Sequence, residues 1–145
     1  MAMTLGLAEA LTAARKTKNV TKKVEALQAI PSETKEHLMG VFQLAYNRQI
    51  SWLLPPGTPP YTPLDESTDQ QGRLIGEIGK FSYFIARNGT PVQPQVQQMR
   101  REQLFVSILE SVDPFDAELI IQMKDREIKG VSKNVVQKAF PELGL

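Results

Sequence analysis

Nine residues in the first half of the chain, 55–63, contain five prolines. Proline lacks a backbone N–H and fixes φ, so this stretch can form neither an α-helix nor a central β-strand. We predict an extended segment with partial polyproline II character. The large apolar side chains Trp52, Leu54 and Tyr61 accompany it, and their burial is favourable. We therefore expect the proline-rich segment and the acidic turn that follows it, residues 49–68, to be ordered and to pack across the rest of the fold. A ligand for a proline-recognition domain is the alternative interpretation.

Apolar residues recur at helical spacing on both sides of this segment. After Pro31 they fall at positions i, i+3, i+4 and i+7, as in the buried stripe of a helix. These residues are Leu38, Val41, Phe42 and Ala45. The same periodicity predicts helices over residues 4–16, 19–29, 69–87 and 95–111, and one on each side of Gly130. No stretch shows the alternation that is typical of a β-strand. The sequence therefore predicts an all-α fold, a single compact domain over residues 1–145 with about six or seven helices around the packed proline-rich segment.

The residue types that carry common enzymatic chemistry are scarce. The chain has no cysteine and a single histidine, His37, which argues against zinc sites and against Ser–His or Cys–His nucleophile pairs. The Lys-x-Asp-Gly motif of nucleotidyl transfer does not occur. We expect no enzymatic activity, no cofactor and no bound metal. No apolar run is long enough to cross a membrane, and residues 1–15 do not resemble a signal peptide, so the sequence predicts a cytoplasmic protein that does not bind a membrane.

The candidate functional stretch runs from residue 124 to residue 141. Gly130 can adopt a positive φ and end a helix, and Ser132 can cap the helix that follows. Such a turn presents free backbone N–H groups at a helix start, which is a common phosphate-binding arrangement. The positively charged residues around it are Arg126, Lys129, Lys133 and Lys138. The sequence thus predicts a phosphate site here, and an ordinary helical turn with solvated lysines is the alternative.

These four cations form the second basic run of the chain, and the first basic run extends from Arg15 to Lys23, with five positive charges and no acidic residue. This run is either a solvated face of two short helices or a surface that faces phosphate. The formal net charge of the whole chain is only +1, so the distribution of charge matters more than its sum. A phosphate-binding surface, such as a DNA-binding protein needs, is favoured if the two basic runs share one face of the fold.

Three motifs point to a known family. The first is Leu44-Ala45-Tyr46-Asn47-Arg48 before an extended aromatic and apolar segment, and the second is the helix end from Met123 to Glu127. The third is Gly130-Val131-Ser132, followed by Lys138 and then Phe140-Pro141. In these motifs the chain resembles the N-terminal helical DNA-binding domain of the ATP-dependent DNA ligases of T-even-like phages. It also resembles uncharacterised small proteins of tailed phages that share the signature of residues 53–61. The prolines of residues 55–63 depart from the ligases, which carry a more basic segment there.

This resemblance implies a helical domain that grips duplex DNA through the minor groove and the phosphates, without the catalytic part of a ligase. The first hypothesis is a non-enzymatic duplex-DNA-binding module or accessory factor in phage DNA metabolism, acting in the host cytoplasm, with a phage or host replication protein as a further partner. The expected DNA-contacting residues are Arg126, Lys129, Gly130, Ser132, Lys133, Lys138 and Arg48. The second hypothesis is a protein–protein interaction module of a phage that keeps the helical fold without binding DNA.

Overall fold

A computed structural model describes residues 7–63 and 78–145 of the chain. The described part is mostly helical, and it also contains a small three-stranded antiparallel sheet. In chain order the elements are α1 (Leu7–Ala10), α2 (Thr12–Lys16), α3 (Val20–Gln28), α4 (Ser32–Tyr46), β1 (Ile50–Trp52), a 3₁₀ helix (Ile78–Phe84), β2 (Ile85–Arg87), β3 (Thr90–Pro91), α5 (Gln98–Leu109), α6 (Pro114–Lys124), α7 (Lys133–Ala139) and a second 3₁₀ helix (Pro141–Leu143). The prediction of a helical fold is therefore confirmed in its main feature, and the prediction of a fold without strands is wrong.

The core forms where the apolar stripes of the helices meet. The four residues predicted to line the buried stripe of α4 all lie in the core, at Leu38, Val41, Phe42 and Ala45. Helix α4 packs against α6, and α3 packs against α7. The ring of Phe42 stacks on that of Phe140 with 5.9 Å between the ring centroids. Phe140, which follows α7, is therefore part of the same core.

The sheet corrects the helix that was predicted over residues 69–87. The last three of these residues form β2, which pairs with β1 in the register Ser51↔Ala86, and β2 pairs with β3 in the register Arg87↔Thr90. Asn88 and Gly89 have φ values of 53° and 82° and make the two-residue turn between β2 and β3. Strands of two or three residues are too short to show alternation. The predicted acidic turn from Asp65 to Asp69 and the first part of the predicted helix, up to residue 77, lie outside the described residues.

The proline-rich segment packs on the helices as predicted, as far as residue 63. Trp52, Leu54 and Tyr61 are partly buried against the core, and the indole Nε1 of Trp52 donates to the backbone oxygen of Leu44 at 2.9 Å. The side chains that approach the segment from α6 were not anticipated.

Lys124, at the end of α6, hydrogen-bonds to the backbone of the proline-rich segment. Lys124 is buried, with only 4% of its surface exposed. Its ammonium donates to the backbone oxygens of Pro55 and Gly57, both at 2.8 Å, and to the carboxylate of Asp125 at 2.5 Å. The same carboxylate oxygen accepts from the Gly57 N–H at 3.1 Å. A buried ammonium costs free energy unless it is paired and hydrogen-bonded, and here the extended backbone supplies two of its three acceptors.

Candidate nucleic-acid interface

The predicted turn lies between α6 and α7. Gly130 has a φ of +77°, and the hydroxyl of Ser132 accepts from the Val135 N–H at 3.3 Å, so the positive φ and the cap are both confirmed. The preceding helix ends earlier than predicted, at Lys124, and Arg126 also adopts a positive φ, of +62°. The turn is therefore an irregular loop of several residues that ends in the Ser132 cap.

Tyr46, in the last turn of α4, fixes this loop from the core side. Its hydroxyl accepts from the Ile128 N–H at 3.0 Å and donates to the Val131 oxygen at 2.6 Å. Burial raises the pKa of the Tyr46 phenol above its ordinary value; the Ile128 N–H opposes this shift and the nearby charge of Glu127 adds to it. One buried hydroxyl thus ties both ends of a four-residue stretch of the loop to α4.

The two basic runs meet at this loop. From the first run, Arg15 donates through Nε to the Lys129 oxygen at 3.1 Å, and through Nη2 to the Gln122 side-chain oxygen at 3.0 Å. The Lys23 ammonium donates to the Gly130 oxygen at 2.6 Å. Burial lowers the pKa of Arg15 while Glu118 opposes that shift, but an arginine side chain stays charged. Part of each run, namely Arg15 and Lys23 of the first and Lys129 and Gly130 of the second, therefore lies on one face of the fold.

A groove with a volume of about 540 Å³ opens beside the loop, and we call it the turn groove. Its charged lining consists of four cations and one carboxylate, namely Lys23, Arg126, Lys129, Lys133 and Glu127. Its remaining lining is Val20, Tyr46, Ile128, Gly130, Val131, Ser132 and Val135. Over residues 7–63 and 78–145, none of the four cations forms an ion pair with a carboxylate. Four cations against the one carboxylate of Glu127 leave the groove lining with an excess of positive charge.

The predicted site residues divide into two groups. Lys129, Gly130, Ser132, Lys133 and Arg126 all line the turn groove. Lys138 is exposed on the last turn of α7 and Arg48 is exposed just after α4, and neither lines it.

Arg126 has a structural role that its place in a basic run did not reveal. Its guanidinium donates to the backbone oxygen of Asn47 at 2.6 Å and to that of Ile50. It thereby joins the end of α4 and the start of β1 to the loop. These bonds use two of its five N–H donors, so Arg126 contributes charge to the groove from a fixed position.

Lys23 is the cation of the groove lining that the sequence did not single out. The sequence signal for Lys23 is the charge run from Arg15 to Lys23, which gives no reason to prefer one lysine over another.

The start of α7 contributes fewer free N–H groups to the groove than expected, because α7 has only seven residues and the Ser132 hydroxyl already accepts from the Val135 N–H.

Neither a metal-binding cluster nor a membrane-spanning helix occurs in the described part of the chain. No group of three or more His, Cys, Asp or Glu side chains is placed to hold a metal ion there. None of the helices described is both long enough and apolar enough to span a lipid bilayer.

The fold and the groove define a small, mostly helical protein with a basic, backbone-anchored loop on one face. Residues 10–130 match the model of DUF6433, a family of unknown function, and the chain belongs to that family. The match includes the first basic run and reaches Gly130. No curated protein matches the chain.

Proposed function

We propose that this protein is a non-enzymatic duplex-DNA-binding module, an accessory factor in phage DNA metabolism that acts in the host cytoplasm. The observation that carries the proposal is the contact between the two basic runs at the loop beside the turn groove, where Arg15 and Lys23 donate hydrogen bonds to backbone oxygens of the second run. Charges from residues more than 100 positions apart in sequence thus add up on one face.

The chemistry of the turn groove suits phosphate. Backbone carbonyl oxygens satisfy hydrogen bonds of Lys23 and Arg126 but do not cancel their charges, so the field at the groove stays positive. Lys129 is exposed and Lys133 is partly exposed at its rim, and flexible lysines neutralise phosphates without reading bases. The expected binding is electrostatic, with little sequence preference.

The resemblance to the N-terminal domain of phage DNA ligases supports the same proposal. The motifs that carry this resemblance include the helix end at Tyr46 and the Gly130-Val131-Ser132 turn. The Tyr46 hydroxyl donates a hydrogen bond to the Val131 oxygen in that turn. We propose a ligase-domain-like helical module that binds DNA for another protein, such as a phage or host replication protein, without catalysing a reaction itself.

A binding titration with short duplexes of unrelated sequence tests the proposal. At low salt the wild type should bind all of them with similar affinity. The variant Lys129→Ala/Lys133→Ala should bind more weakly. Arg87→Ala/Arg100→Ala is a charge-matched control, because both arginines are exposed and lie outside the groove lining.

The control variant should bind as the wild type does. If both double variants weaken duplex binding equally, the binding site lies outside the turn groove. Absence of duplex binding at low salt would overturn the DNA proposal and leave the interaction-module hypothesis in its place.

A further inference from the structure

Lys23 is held differently from the lysines at the groove rim. It lies on α3, and its ammonium bridges two segments by donating to the Ala14 oxygen at 2.9 Å and to the Gly130 oxygen at 2.6 Å. In the described residues, the ammonium groups of Lys129 and Lys133 make no hydrogen bond or ion pair. Lys23 is therefore the lysine of the groove whose position is set before any ligand arrives.

The hydrogen-bonding capacity of Lys23 is not exhausted. An ammonium group has three N–H donors, and the two carbonyl oxygens use two of them. The third has no acceptor among residues 7–63 and 78–145, while the side chain lines the turn groove. A fixed cation with one free donor loses little conformational freedom when it binds an anion.

We propose that Lys23 is the fixed donor of a single-phosphate subsite in the turn groove, while Lys129 and Lys133 at the rim neutralise neighbouring phosphates of the same strand. This inference rests on the proposed function and names a residue that carries it. The recognised chemistry is one phosphate group, either an internal diester of the DNA backbone or a terminal monoester at a strand end.

The test compares Lys23→Gln with Lys22→Gln by duplex titration over a range of salt concentrations. Glutamine removes the charge and keeps an N–H donor. Lys22 is the matched control, because its side chain is exposed on the same helix and does not line the groove. Loss of one phosphate contact flattens the slope of log affinity against log salt by about 0.9. Lys23→Gln should show that change, and Lys22→Gln should show less than half of it. Wild-type slope and affinity in Lys23→Gln would overturn the subsite.

Lys23→Gln could also weaken binding by destabilising the fold. Thermal melting detects such a loss of stability, and the variant Lys23→Arg keeps the positive charge for comparison. If Lys23→Gln melts early, restoration of the salt slope by Lys23→Arg supports the subsite. A slope that stays flat in a Lys23→Arg variant of normal stability overturns it.

Two substrates distinguish the sources of the phosphate. One is a duplex closed by hairpins at both ends, which has no terminal phosphate, and the other is a linear duplex with 5′-phosphates. If Lys23→Gln binds both duplexes more weakly than the wild type does, the phosphate is an internal diester. If it binds only the phosphorylated linear duplex more weakly, the phosphate is a terminal monoester. A defect on neither overturns the subsite. A wild type that binds neither duplex overturns the proposed function itself, which is a different result.

Discussion

Replacing Gly130 with alanine tests whether the loop is shaped by its contact with the first basic run. Gly130 has a φ of +77°, and a Cβ built on it would lie 3.0 Å from Arg15 Cγ and 3.2 Å from Arg15 Cα. Gly89 has a similar φ of +82° but no atom within 4 Å of such a Cβ. The two glycines therefore share the conformational constraint and differ in the contact.

The expected loss in the free energy of unfolding is the sum of a backbone contribution and a packing contribution. A residue with a Cβ pays roughly 1–2 kcal/mol to occupy the left-handed region, and this applies to both positions. At Gly130 the new methyl group also presses on the backbone of Arg15, and overpacking of this kind costs about 1–3 kcal/mol. Gly130→Ala should thus lower the free energy of unfolding by ~2–5 kcal/mol, and Gly89→Ala by ~1–2 kcal/mol.

Urea denaturation of the wild type and both variants measures the difference directly. Gly130→Val should be worse than Gly130→Ala, since a β-branched residue tolerates positive φ poorly. If Gly130→Ala is no more destabilising than Gly89→Ala, the contact with Arg15 does not constrain the loop, and the argument from close packing fails.

Two further predictions concern the supports of the loop and of the proline-rich segment. Trp52→Ala should lower the free energy of unfolding by ~2–4 kcal/mol, somewhat below the usual cost for a core tryptophan because the side chain is only partly buried. Trp52→Phe should lose less, mainly the hydrogen bond to Leu44, and a thermal melt unchanged by Trp52→Ala would contradict the packing. Because the pKa of Tyr46 is raised by burial above 10.0, the folded state holds this proton more tightly than the unfolded state does. The contribution of Tyr46 to stability should be complete below pH 10 and should fall as pH rises through the folded pKa. Urea midpoints of wild type and Tyr46→Phe at about pH 8 and pH 11 should converge at the higher pH, and a constant difference would refute this.

The sequence predicted what depends on neighbouring residues along the chain. The apolar stripe of α4 follows from its i, i+3, i+4 and i+7 spacing, and the Ser132 cap and the positive φ of Gly130 follow from the preferences of those residues. The short sheet was missed, although Asn88-Gly89 is a strong signal for a two-residue hairpin turn. The apolar residues before this turn also fit helical spacing, and that spacing predicts a helix up to residue 87 instead of a strand.

The remaining features depend on contacts between distant parts of the chain. The Lys23–Gly130 hydrogen bond joins residues 107 positions apart, and the bond from Lys124 to Pro55 spans 69 positions. Nothing local distinguishes Lys23 from Lys22, or the buried Lys124 from a solvated lysine. Charge runs therefore showed where cations are concentrated, but only the fold shows which of them are fixed by backbone oxygens.

The salt dependence of duplex binding tests the central claim most directly. If Lys129 and Lys133 each neutralise one phosphate, their double alanine variant should have a slope of log affinity against log salt that is flatter by about 1.8. Between about 50 mM and 200 mM salt, the wild type should then lose roughly 12-fold more affinity than the variant does. Duplex binding with this difference in slope is the predicted result. Equal slopes, or no binding by the wild type at the lower salt concentration, would contradict the account.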